Sequence, residues 1–284
     1  MKIISIVANN PIFIELQYKT LNKFVTIDYE YIIFNDGKDW PDITNFENVS
    51  EGKDGIIKKC DELNITCINI PNKHNQFNNS ASQRHADSLR FVFNYMINHP
   101  DEYLMLDSDM FIIDHFDINI NTYRKYSCAC VLQERPNLLY IWPNLFYINM
   151  NTIKNIKLLD FTIITGGDTG SASHNWLKSF AYDYPSVKNI RYTDTQYSND
   201  DFYFIKHLWS CSWNKAELPS NLNMKILEFL NFDKRNHGGD TFFCEIYDKK
   251  ILHYRAGTNW MNQPKELHHE NILKLVSTIN DIIM

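Results

Sequence analysis

The sequence has no excess of positive charge. Its 28 lysines and arginines are outnumbered by 34 aspartates and glutamates, giving a net charge of −6. That argues against a nucleic-acid binder, whose footprint is basic. It also has no apolar run approaching the ~20 residues of a membrane span. The opening run Ile3-Ile4-Ser5-Ile6-Val7-Ala8 is short, follows a single lysine and leads into Asn9-Asn10-Pro11 rather than a small-residue cleavage site. It reads as a first β-strand rather than a secretory leader, and a cytoplasmic location is expected. Internal repeats, low-complexity linkers and charge blocks are missing too, so nothing marks a domain boundary within residues 1–284. None of the six cysteines has zinc-site spacing. Cys128-Ala129-Cys130 predicts a strand with both thiols on one face, and without an export signal all six are expected to be free thiols.

What the chain does have is apolar material: 44% hydrophobic residues, with 14% aromatics, is enough for a sizeable core and excludes disorder. The first hundred residues alternate between strand and helix patterns. Lys2–Ala8, Tyr29–Phe34, Thr66–Ile70 and Tyr103–Leu106 read as strands, while Ile12–Lys23 and Asp54–Leu63 have helical spacing. Ser80-Ala81-Ser82-Gln83 forms a capping box, with Ser80 as N-cap and Gln83 reaching back, ahead of the apolar stripe Leu89, Val92, Phe93 and Met96. Such alternation predicts an α/β fold with a largely parallel sheet covered on both faces. Ligands of open α/β sheets sit outside the carboxyl ends of the strands. Asn9, Asn10, Asp36 and the pair Asp107 and Asp109 all fall at such ends.

Asp107 and Asp109 follow the apolar run Tyr103-Leu104-Met105-Leu106. Residues i and i+2 of an extended segment point the same way, so both carboxylates aim at one place with Ser108 turned aside. Two carboxylates so close repel unless a cation lies near them. A hard divalent ion, Mg²⁺ or Mn²⁺, suits oxygen ligands and a site shared with phosphates. His253, ending the apolar run Lys250–Tyr254, is a suitable nitrogen ligand for the same ion.

The segment Ser82 to Phe111, SQRHADSLRFVFNYMINHPDEYLMLDSDMF, resembles the core of the nucleotide-sugar-dependent glycosyltransferases of the GT-A fold, in which an Arg-bearing helix leads into a strand ending in D-x-D. Phe34-Asn35-Asp36-Gly37 is similar to their second-strand signature, whose acidic residue contacts the nucleoside. Ile251 to Trp260 (ILHYRAGTNW) resembles the H-x-x-G…W segment whose histidine completes the metal shell, and Asn144–Asn149 the strand supporting the acceptor side. The resemblance implies a single GT-A-like domain with a twisted, mainly parallel sheet and a Rossmann-like N-terminal half. Residues 1–112 would bind the nucleotide sugar and residues 113–284 the acceptor. It implies Mn²⁺ or Mg²⁺ held by Asp107, Asp109 and His253. A UDP-sugar is favoured over a GDP-sugar as donor, contacted by Ala8, Asn9, Asn10, Asp36, Arg84, Asp107, Ser108 and Arg255. It also implies a carbohydrate acceptor receiving a hexose or pentose. The lysine that often follows the histidine segment is absent at its expected spacing, which leaves Arg255 or Lys265 to meet the diphosphate.

Transfer also needs a carboxylate to deprotonate the acceptor or to lie beneath the sugar ring. Asp168, in the turn Gly166-Gly167-Asp168-Thr169-Gly170, is the first candidate. Asp200 and Asp201 are the second, read as opening a helix through Phe202–Trp209, where N-capping is the competing role. Tryptophans crowd the second half, and sugar C–H faces stack on aromatic rings, but the sequence singles out none of them. A nucleotidyltransferase on a similar sheet needs a Gly-rich loop with arginine after the first strand, where Asn9-Asn10-Pro11 stands. A D-x-D phosphotransferase places its pair on the first strand, before Thr or Val and Gly. Here Met110-Phe111 follows. A non-catalytic carbohydrate-binding module on the same fold is the remaining alternative.

Overall fold

Strand β1 (Lys2–Val7) is apolar along almost its whole length because both of its faces are covered. Ile3 and Val7 join the core formed with Phe13, Ile14 and Leu16 of helix α1 (Pro11–Phe24) and Ile56 and Cys60 of α2 (Gly52–Leu63). Ile4 and Ile6 join the opposite core, with Leu89, Val92, Phe93 and Met96 of α3 (Ala81–Asn98). The same alternation divides β4 (Glu102–Leu106): Leu104 and Leu106 face one core, Tyr103 and Met105 the other. The computed structural model describes residues 1–8, 10–37, 52–71, 80–191, 195–236, 240–256 and 265–284. Asn9, the Lys265 side chain and residues 257–260 lie outside the described residues.

The main sheet has seven strands in the order β3 (Thr66–Asn69), β2 (Glu30–Asn35), β1, β4, β7 (Leu138–Asn149), β6 (Cys128–Arg135) and β8 (Phe202–Phe204). Only β7 runs against the rest. The architecture is thus α/β and mainly parallel, with helices on both faces, as expected. The β6–β7 hairpin is longer than β4. Asn144 still meets Asp107, through its backbone carbonyl, while Leu138–Trp142 continue past the sheet's carboxyl edge, paired with β6.

A second, antiparallel sheet stands at that edge in the order β5 (Met110–Ile112), β11 (Ile251–His253), β10 (Glu245–Tyr247) and β9 (His207–Leu208). It is what joins distant parts of the chain. Strand β5 begins immediately after the D-x-D turn, and its register sets Met110 opposite His253.

The expected helix after Ser198 is absent. Asn199 instead accepts the N–H groups of Asp201 and Phe202 through its side chain, closing a turn. Phe202–Phe204 then pair in parallel with Cys128–Cys130. Phe-Tyr-Phe-Ile is β-forming material, and pairing with a buried strand outweighed the capping signal. The capping box is also incomplete. Ser80 accepts the Gln83 N–H, but the Gln83 side chain turns to Asp87. Cys128 and Cys130 do share one face, in the core beside α3, and all six cysteines are free. Among the described residues no helix is long and apolar enough to cross a membrane.

Candidate metal centre

The D-x-D turn is stapled from three sides. Gln17, a polar residue on the buried face of α1, donates to the carbonyls of Asp107 (2.9 Å) and Met110 (2.7 Å), and its own oxygen accepts from the Tyr31 hydroxyl at 2.5 Å. Asn144 fixes Asp107 twice, its carbonyl accepting the Asp107 N–H and its amide donating to Oδ2. The Asp109 carbonyl accepts the Tyr254 N–H at 2.9 Å, which ties the turn to the end of β11. Gln17→Leu should therefore strand the Met110 carbonyl and the Tyr31 hydroxyl in the interior, while the Asp107 carbonyl keeps the Met110 N–H. At about 1–3 kcal/mol for each unsatisfied buried group, thermal denaturation should register a loss of at least ~2 kcal/mol. An unchanged melting temperature would contradict this role.

This scaffold brings Asp107, Asp109 and His253 together, with one ligand atom from each lying within 4.8 Å of the others. Asp109 and His253 are buried and Asp107 is half-buried. His253 Nε2 lies 3.1 Å from Asp109 Oδ1, and Nδ1 lies 2.8 Å from Oε2 of Glu245. Glu245 is itself held by the Tyr247 hydroxyl at 2.6 Å and the Ser210 N–H at 3.1 Å. A carboxylate behind a histidine, fixing the tautomer that leaves Nε2 free, is the usual outer support of a metal-binding imidazole. Sequence reasoning missed Glu245. The signal was a hairpin symmetric about Lys249, which puts residue 245 directly across from residue 253.

The electrostatics fit a cation. Burial and repulsion from Asp109 push the Asp107 carboxyl above its usual range. Burial alone would lower the His253 imidazole, but Asp109 and Glu245 outweigh it and hold it up at about 10. Burial would raise Glu245, but the His253 imidazole overcomes that and keeps the carboxyl low. Two oxygen donors and one imidazole, with carboxylates that repel, make a donor set suited to Mn²⁺ or Mg²⁺.

The pH sign follows. In the metal-free protein the charged imidazole stabilises the fold fully below its unfolded value near ~6.5. That contribution is lost as pH rises through about 10. A metal needs the neutral ring, so binding expels a proton. Mn²⁺ affinity measured between pH 6 and 8 should rise about tenfold per unit. A flat profile would show that His253 is not a ligand.

The other predicted residues divide between the two edges of the sheet. Asp36 ends β2 at the metal edge, where Oδ2 accepts from Ser88 of α3 at 2.7 Å. Half-buried Arg84 lies one turn earlier on α3, and neighbouring His85 is close enough to Asp107 for its charge to oppose the upward shift there. Asn10 caps α1 and is buried, its amide nitrogen having no partner among the described residues. Ala8 precedes it at the end of β1, and Ser108 is buried inside the turn. Arg255 follows the metal-side strand with a left-handed backbone (φ 58°), as does Ala256 (φ 54°). Its guanidinium donates to Ser210 Oγ at 2.8 Å and lies 3.8 Å from Glu245. Buried Arg235, paired with Asp233 and stacked on Tyr254, donates to the Arg255 carbonyl at 2.7 Å, fixing this strained stretch from beneath.

Asp168 sits on a loop tied to this edge. Thr169 donates to the Ser82 carbonyl at the start of α3, and Gly170 (φ +88°) lies so near the Ile141 carbonyl that a Cβ would come within 2.6 Å. The structure does not bring Asp200 and Asp201 to this edge. Asp200 is exposed, and Asp201 lies at the amino end of β8, beside the first residue of β6, where it binds Lys154 (3.0 Å) and the Tyr182 hydroxyl (2.7 Å). Both belong to the opposite edge of the sheet.

No protein-family model matches the sequence, and no curated protein matches it. Solved structures do match. One is the galactosyltransferase LgtC in complex with donor and acceptor sugar analogues, at 13% identity and a TM-score of 0.38, over 56% of this chain and 62% of that one. A second is mouse xyloside xylosyltransferase 1, at 9% and 0.38, over 76% of this chain and 87% of that one. A third is a mannosyltransferase from Pyrobaculum calidifontis in complex with GDP-Man and Mn²⁺, at 10% and 0.39, over 99% of this chain and 73% of that one. All three are sugar transferases. The chain spans 62% of the LgtC chain in that complex, and at these scores the likenesses carry no functional argument. The reading rests on the site.

Proposed function

We propose that the chain is a metal-dependent glycosyltransferase, moving a sugar from a nucleoside diphosphate sugar to a hydroxyl group of a glycan or other acceptor. The observation that supports it most is the convergence of Asp107, Asp109 and His253 at the carboxyl edge of an α/β sheet, with Glu245 behind the histidine. Those three residues would hold Mn²⁺ or Mg²⁺, whose role when bound is to neutralise charge on the diphosphate leaving group as a Lewis acid.

The chain's own residues then have separable tasks. Asn10, Asp36 and Ala8, at the ends of β1 and β2, take the nucleoside, with Asn10 offering a buried amide donor. Arg84 and Arg255 are assigned to the diphosphate, where a guanidinium gives charge-assisted hydrogen bonds. Ser108, buried in the turn, is assigned with them to the donor. Asp168 is the carboxylate we assign to the acceptor hydroxyl or the sugar ring. On this reading residues 1–112 form the donor half and residues 113–284 the acceptor half.

The test is titration calorimetry with UDP-glucose, UDP-galactose, UDP-xylose and GDP-mannose, each with Mn²⁺ and with chelator. Binding of at least one donor that disappears with the metal is expected. Donor binding indifferent to metal, or none across the panel, would overturn the reading.

A further inference from the structure

The described tryptophans fall into two kinds. Trp176 and Trp213 are fully buried, and each donates its indole N–H to a backbone carbonyl, of Lys154 (3.1 Å) and Cys244 (2.9 Å). A buried indole requires such a partner. Trp142 and Trp209 are half-buried, and neither indole N–H has a partner among the described residues. Both stand beside the metal centre. Trp142 lies two residues from Asn144 on β7, at the start of a bulge in the β6–β7 pairing, with its ring 5.6 Å from that of His253. Trp209 immediately precedes Ser210, whose N–H holds Glu245.

The surrounding rings cover one face of Trp142 and its edges. Trp142 stacks on Tyr247 at 5.4 Å with 12° between planes. Trp209 stands perpendicular, 5.5 Å from Trp142 and 6.0 Å from Tyr247. His253 is likewise 6.2 Å from Tyr247. A ring seated on the outer face of Trp142 would lie about twice the stacking distance from Tyr247. Trp209 and His253 therefore flank the stack rather than cover it, and no ring among the described residues occupies that outer face. The location is also specific. In the order β2–β1–β4–β7, the D-x-D turn ends β4, so Trp142 on β7 lies across it from Asp36 on β2.

We propose that Trp142 and Trp209 form the wall of the acceptor-sugar subsite, the outer face of Trp142 stacking on the C–H face of a pyranose while the indole N–H groups donate to its hydroxyls. The inference rests on the transferase reading and deepens it. A flat apolar face with uncommitted donors at its rim, beside buried carboxylates, matches a ligand that is apolar on its ring faces and polar at its edges.

The experiment uses the full chain labelled with ¹⁵N at the indole nitrogens, with Mn²⁺ and UDP present. It is titrated with methyl β-D-galactopyranoside, methyl α-D-mannopyranoside and methyl β-D-xylopyranoside, with glycerol as a hydroxyl-only control. Trp142→Phe and Trp209→Phe assign the two signals. At least one glycoside should shift both signals saturably and leave those of Trp176 and Trp213 in place, while glycerol shifts neither. Trp142→Ala should weaken that glycoside about tenfold, and Trp142→Phe, which keeps a ring, no more than about threefold. Unchanged Mn²⁺–UDP binding in each variant certifies its fold. If Mn²⁺–UDP binds but no glycoside moves the two signals, the subsite assignment is wrong and the transferase reading survives. Where Mn²⁺–UDP does not bind the unaltered protein, Mn²⁺–GDP takes its place in the titration, and failure of both removes the transferase reading and the subsite with it.

Discussion

Replacing Asp109 with asparagine is expected to weaken Mn²⁺ binding about a thousandfold while leaving the metal-free protein folded. A unit charge pair at ~4 Å, with an effective dielectric near 20, is worth about 4 kcal/mol, and each 1.4 kcal/mol is tenfold. Asparagine keeps the shape and the oxygen that faces His253 Nε2. It also removes the repulsion that pushes Asp107 upward. The loss of the His253 ion pair and the relief at Asp107 oppose one another, so the melting temperature of the metal-free variant should stay within about 3 °C. Isothermal titration with Mn²⁺ and differential scanning calorimetry separate the two effects. A variant that binds the ion as well as the unaltered protein would mean that Asp109 is a structural carboxylate closing the turn.

The second large effect is expected at Glu245, which would touch neither the ion nor a substrate. Glutamine at this position keeps one acceptor oxygen and presents an NH₂ group either to the Ser210 N–H or to the pair His253 Nδ1 and Tyr247 hydroxyl, which share Oε2. In either orientation the imidazole loses the negative charge behind it, and Mn²⁺ affinity should fall by about 10- to 100-fold, the range for outer supports of metal ligands. The His253 pKa should also drop from about 10, since one of the two carboxylates holding it up is gone. An NMR titration of His253 in metal-free protein reads that fall directly. Glu245→Ala should add instability, because all three donors lose their acceptor in a buried site, at about 1–3 kcal/mol each. Equal Mn²⁺ affinity in Glu245→Gln and the unaltered chain would show that His253 needs no support from behind.

The contrast between these residues shows what the sequence makes legible. Asp107 and Asp109 stand out because an apolar strand has no local reason to end in two carboxylates; the extended geometry expected for them is replaced by a turn, closed by the Met110 N–H on the Asp107 carbonyl, with Ser108 buried inside it. Five of the six parallel strands were readable, all but β8, and the most buried of them for a similar reason. Strands buried on both faces read as continuous apolar runs, and β1, β2 and β4 did. His253 was reachable through the resemblance of its segment, and its proximity to Asp109 through a register of β5 on β11 that no local pattern encodes.

Glu245 and Gln17 were hidden by context. Each is a polar residue in an otherwise apolar setting, Glu245 on a buried three-residue strand and Gln17 on the core face of α1 among Phe13, Leu16 and Leu21. Burial of a polar side chain requires partners, so each position was a question the sequence posed without answering. The partners come from elements ~90 residues away in the case of Gln17. The misread stretch at residues 198–209 went wrong in the other direction. Its Asn and Asp residues are good N-caps, but the aromatic run after them found a buried edge on β6, and tertiary pairing prevailed over local capping.

The central claim is that one divalent ion is bound by residues from two distant parts of the chain. Electron paramagnetic resonance measures it most directly, because the six-line signal of free Mn²⁺ disappears on binding. With UDP or, where UDP does not bind, GDP present, the unaltered protein is predicted to remove one equivalent of Mn²⁺ from solution, and His253→Ala and Asp107→Asn to leave the free signal largely intact at the same concentrations. Full uptake of Mn²⁺ by both variants, or no uptake by the unaltered protein, would contradict the account.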